Sequence, residues 1–65
     1  MALSEETIRS IQKAVEEGEK ILAEKEADIE EARRAGIDVS KEMEALQREK
    51  ERIRLLRQVY GKYFK

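Results

Sequence analysis

Apolar residues recur along the first half of the chain at alternating steps of three and four. Ile8, Ile11, Val15, Leu22, Ile29 and Ala32 follow that spacing, and Gly18 and Lys25 take the two positions that complete it. This spacing predicts a helix with one apolar stripe. Ala14, Ile21 and Ala35 widen the stripe on one flank, beyond the seam of a two-strand coiled coil. The flanking residues mark a start and a stop. Ser4 can cap, Glu5 and Glu6 complement the positive end of the helix dipole, and Leu3 can staple onto Ile8. At the far end Arg33 and Arg34 suit a C-terminus, Gly36 can turn left-handed, and Ile37 can fold back toward Ala32.

A second stripe follows in Val39, Met43, Leu46, Ile53, Tyr60 and Phe64, interrupted by Lys50 and Arg57. Asp38 or Ser40 opens this helix, with Ser40 the preferred cap. A connection so short forces the helices side by side, so the expectation is an all-α antiparallel helical hairpin. Helix one covers about 4–35, the turn 36–39 and helix two about 40–64, within a single domain 1–65. Folding at Gly36 sets Ile29 against Leu46, Leu22 against Ile53, Val15 against Tyr60 and Ile11 against Phe64. It also brings Lys25 opposite Lys50, whose ammonium groups must snorkel or pair with Glu24, Glu26, Glu49 or Glu51. Gly18 falls near Leu56 and Arg57 and leaves room for a bulky neighbour. Glu5–Arg9, Glu16–Lys20, Glu30–Arg34 and Glu44–Arg48 are spaced to pair along the exposed faces.

Length changes the picture from a hairpin to an assembly. At 65 residues the chain is near the lower limit for burying its own core, and it has no Cys to staple it. Ordering a residue costs about 1.5 kcal/mol against about 25 cal/mol per Å² of apolar burial, and two helices keep most of their circumference wet. The second half of helix two also carries Leu55, Leu56, Val59 and Tyr63, more apolar surface than one neighbouring helix can cover. We therefore expect self-association into a four-helix bundle, first as a homodimer, next as a tetramer, with another protein as the alternative partner. Leu55, Leu56, Val59, Tyr60 and Tyr63 are the expected self-association or partner face. In layout such a dimer is similar to the Rop family of plasmid-encoded regulators, short helical hairpins that dimerise. The likeness is one of architecture and carries no residue role.

Composition narrows the chemistry. Charged residues make up 45% and hydrophobic ones 40%, with no His, Cys, Pro or Trp, a mix that suits long helices. The usual general base, the usual metal ligand and the thiol nucleophile are all missing, and Ser4, Ser10 and Ser40 have no base to activate them. Glu16 with Glu19 and Glu26 with Glu30 read as solvated faces, and Gly18, Gly36 and Gly61 are too scattered for a phosphate loop. No catalytic residue, cofactor or metal is expected, and the chain does not read as an enzyme. Its apolar runs are too short to span a bilayer, and its N-terminus is too acidic for a secretory signal, so a cytoplasmic location is the default expectation.

The net charge of −1 conceals two opposed blocks. Residues 16–31 hold eight acidic and two basic side chains, a net of −6, and residues 47–65 hold seven basic and two acidic, a net of +5. Arg48, Arg52, Arg54, Arg57, Lys62 and Lys65 could form a phosphate-binding face, with Tyr60 or Tyr63 for stacking. Antiparallel pairing instead lays the two blocks together, which favours internal matching over phosphate. Tyr60, Tyr63 and Phe64, the chain's three aromatics, cap the open end over Ile8 and Ile11 or anchor a partner. The leading expectation is a non-enzymatic, homo-oligomeric interaction module: an adaptor, scaffold piece or assembly factor. A nucleic-acid-binding regulator and an excised or engineered coiled-coil piece without activity are the alternatives.

Overall fold

The computed structural model describes residues 3–64. Helix α1 spans Glu5–Arg34 and α2 spans Ser40–Tyr60, and a single 3-10 turn, Gly61–Tyr63, follows. Among the described residues there is no strand.

The start of α1 forms as its first residues predict. Ser4 is extended, and its Oγ accepts a hydrogen bond from the Thr7 backbone N–H at 3.1 Å while donating to the Thr7 hydroxyl at 2.8 Å. That satisfies one of the orphan donors of the first turn, and Glu5 and Glu6 sit beside the rest. The end of α1 is a paired closure. The Ile37 N–H donates to the Ala32 carbonyl and the Gly36 N–H to the Arg33 carbonyl, each at 3.0 Å. This pattern needs a left-handed residue between them, and Gly36 supplies it at φ 88. The chain is thereby turned back onto itself within a few residues.

The cap of α2 differs from the expectation. Ser40 is the first helical residue, and Asp38 supplies the acceptor: its Oδ1 takes the Ser40 N–H at 3.1 Å and the Ser40 hydroxyl at 2.6 Å. Val39 stands at the cap position itself and is buried against the hairpin, so the capping oxygen comes from one residue further out. The Ser40 hydroxyl, and then its N–H, hold the Asp38 carboxyl below the usual carboxylate range. Helix two also ends earlier than expected, at Tyr60. Gly61 opens a 3-10 turn closed by the Phe64 N–H on the Gly61 carbonyl at 3.1 Å. Glycine's low helix propensity accounts for the change of pitch.

The core is one line of contact. Val15, Leu22 and Ile53 are buried together, with Ile11, Leu46, Leu56 and Phe64 packed partly against them, and Val39 is buried at the turn. On α1 the observed seam follows the predicted stripe. On α2 it departs at two positions. Met43 is 50% exposed, because ten residues before Ile53 lies about 80° from the core direction on a 3.6-residue helix. Leu56 enters the seam in its place, and Arg57 lies at the margin. Gly18 faces Ile53 rather than Leu56 or Arg57: a Cβ there would stand 2.7 Å from Ile53 Cδ1.

The hairpin measures 50 × 15 × 13 Å with a radius of gyration of 14.9 Å. A compact chain of this length would have a radius of about 11 Å. Its accessible surface is 5538 Å². A globular monomer of the same mass would expose roughly 4,300 Å².

Three outcomes follow from this packing. Gly36→Ala, with open space around it, costs about 1–3 kcal/mol from backbone strain alone, measured by urea unfolding. Gly18→Ala gains helix propensity of about 1 kcal/mol but collides with Ile53, so it is more favourable in an Ile53→Val background that lacks Cδ1. The Asp38 carboxyl titrates below an ordinary aspartate by NMR. Its stabilising effect is therefore complete above the ordinary pKa and is lost as pH falls through the lowered one, with the amides of the first turn of α2 reporting the loss.

Candidate interaction surface

The seam has two sides, and they are finished differently. On one side two ion pairs bridge the helices. Arg57 donates through Nε and Nη2 to the two oxygens of Glu19 at 3.0 and 2.8 Å, and Lys50 Nζ lies 2.8 Å from Glu26. Glu19 and Glu26 are seven residues apart on α1, and Lys50 and Arg57 are seven apart on α2, so these contacts state the antiparallel register directly. Glu19 holds the Arg57 guanidinium more firmly in its charged form, first through the hydrogen bonds and then through its charge. The Phe64 ring centre stands 5.9 Å from the same guanidinium and ties the C-terminal turn to this side. Each of these side chains is about half exposed, so the pairs contribute little stability and act mainly on alignment. Lys50 pairs with Glu26 while Lys25 borders the groove on the other side of the seam, so the two lysines expected to stand opposite each other are separated.

No ion pair bridges the helices on the other side among the described residues. There α1 presents Ile21, Lys25 and Asp28, four and seven residues on from Ile21 along one stripe. Lys25 and Asp28 border an open groove whose opposite wall is Ala45, Leu46 and Glu49 of α2. The α2 stripe that begins with Ala45 and Glu49 continues through Arg52 and Leu56 to Val59. Toward the end remote from the turn this side becomes apolar: Ile21 is 50% exposed and Val59 56%, and Leu55, 51% exposed, lies one turn before Val59 on the outer face of α2.

The five residues expected to form the association face are thus divided. Leu55 and Val59 are exposed together, one turn apart. Leu56 and Tyr60 are half-buried, Leu56 against the Val15–Leu22–Ile53 core, so both also serve the hairpin itself. Tyr63 is exposed, but the 3-10 turn carries it beside Glu5, Ile8, Arg9 and Gln12, away from Val59. Ile21 was not named for that face, although its place on the widened flank of the α1 stripe was a signal that it would be exposed.

The six basic residues do not share one face. Arg54 and Arg57 line the ion-paired side, with Arg54 also bound to Glu51. Arg52 lies on the apolar side and pairs with Glu49 at 3.3 Å. Arg48 has no ion pair among the described residues, Lys62 rests 5.3 Å from the Tyr63 ring centre, and Lys65 lies outside the described residues. Of the four expected pairs within helices, Glu30–Arg34 closes at 3.8 Å, with Arg33 sharing the same carboxylate. No helix among the described residues is long and apolar enough to cross a membrane.

If the ion pairs set register, their polarity is exchangeable. Glu26→Lys alone sets a second ammonium group against Lys50 and lowers the melting temperature followed by circular dichroism, and adding Lys50→Glu restores it. Comparison with protein-family models, with curated proteins and with solved structures finds no match to this chain.

Proposed function

We propose that this chain is a small interaction module that works as a homodimer, a second copy covering the side that carries Ile21 and Val59 and reaching Leu55 at its edge. The observation that supports this reading is the unpaid surface of the single hairpin. It exposes roughly 1,200 Å² more than a globular monomer of its mass, which exceeds the roughly 800 Å² each partner gives to a standard interface. Pairing two hairpins through this side makes a four-helix bundle and leaves the ion-paired side facing solvent. In that role the protein would join or space other components as an adaptor, scaffold piece or assembly factor, with no chemistry of its own. The division of the arginines between two sides, three of them bound to carboxylates of the same chain, makes a phosphate-binding face the weaker reading.

Leu55→Glu with Val59→Glu is expected to convert the dimer to a weakly helical monomer, read as molar mass by light scattering and as helicity by circular dichroism. A variant of unchanged mass would place the interface elsewhere. A native chain that stays single-copy at every concentration would remove the reading altogether.

A further inference from the structure

We infer that Arg57 is the catch of a releasable end-cap: the C-terminal turn and the first turns of α1 open and close as one unit, and the Arg57–Glu19 pair holds that unit closed. The pair stands on the side of the seam that faces solvent when two hairpins associate through the other, so the inference is separate from the homodimer reading. The register locates the cap. Glu19 meets Arg57, so Tyr60, the last residue of α2, stands level with Glu16. Glu5, Ile8, Arg9 and Gln12 lie beyond that level, and the C-terminal turn borders them through Tyr63. Val15 stands at the very end of the shared length, yet it is fully buried, and Phe64 packs against the cluster to which it belongs. The turn therefore covers what a longer α2 would otherwise cover.

Three contacts converge on Arg57. Its carbonyl accepts the Gly61 N–H, where the turn begins. Its guanidinium stands 5.9 Å from the centre of the Phe64 ring, where the turn ends. Its Nε and Nη2 donate to the two oxygens of Glu19 at 3.0 and 2.8 Å. Two bonds from one guanidinium fix its plane, so the face offered to Phe64 is held in place rather than scattered among the rotamers of a free arginine. The attraction of a cation for a ring depends on that placement. Tyr63 and Phe64 belong to one short turn, so a turn that leaves Arg57 carries Tyr63 away from α1 as well. The first turns of α1 then keep only their local hydrogen bonds and fray with it, as one cooperative unit. The Glu26–Lys50 pair is of the same kind but lies seven residues nearer the hairpin turn, about 10 Å further from the cap.

Nuclear magnetic resonance on the full chain separates a coupled cap from two independent contacts. The ring current of Phe64 displaces the Arg57 side-chain protons while the cap is closed. Glu19→Gln keeps the shape of the side chain and removes its charge. It is expected to diminish that displacement and to speed amide exchange in residues 9–12 by about two- to fivefold, the range that an exposed cation–ring contact or ion pair allows. Glu26→Gln also loosens the hairpin as a whole, but it should leave both signals at the tip unchanged. Equal effects from the two variants, or none from Glu19→Gln, overturn the proposal. Phe64→Leu gives the reciprocal test, because it retains apolar cover and removes the ring. It should speed exchange in residues 9–12 by a similar factor, and adding Glu19→Gln should then speed it little further. Losses that multiply in the double variant show that the two contacts act separately and overturn the coupling.

Discussion

Two helices touch along a line, and one line is all the interior this chain can make for itself. Val15, Leu22 and Ile53 occupy it, and residues a quarter-turn away on either helix remain in water. The seam is narrow enough that Gly18 and Ile53 must interlock, the missing side chain of one taking the branched side chain of the other. Larger folds relax this limit by adding a layer. On the homodimer reading proposed above, the added layer is a second copy lying on the apolar flank beside the seam.

The two sides of the seam differ in charge: ion pairs bridge the helices on one, and the other carries exposed apolar residues. Exposed ion pairs are poor sources of stability, but they penalise slippage, since a shift of one turn would set Glu19 and Glu26 away from their partners. With register settled on one side by charge, the other side can remain apolar without inviting misaligned pairing of its own helices. The opposed charge blocks of the sequence therefore have a structural use within the chain that accounts for much of the basic block.

Most of the architecture was legible because the features that determine it are local. The step of three and four on α1, Ser4 at its start and Gly36 at its end each act within one or two turns, and each formed as read. The departures came where two local rules competed. Asp38 and Ser40 can both cap, and burial of Val39 between them settled the matter in favour of the outer residue. Met43 fits a stripe counted in sevens but drifts out of one wound at 3.6 residues per turn. Tyr63 left the expected face because Gly61 changed the pitch, which spacing alone does not reveal. The exposed apolar residues were legible only in part: Leu55 and Val59 stood out as surplus, whereas Ile21 looked like the margin of a stripe that already had an owner.

The unequal lengths of the helices have a dynamic consequence. Thirty residues of α1 stand beside twenty-one of α2, and at 1.5 Å of rise the difference is roughly 13 Å. Along that overhang, the first turns of α1 are flanked by the C-terminal turn and its aromatic rings rather than by a second helix. Their backbone amides depend on local hydrogen bonds, so they open without disturbing the seam. The hairpin is in this sense a shaft with a soft tip, stiff from Val15 to the turn and able to fray and re-form beyond it.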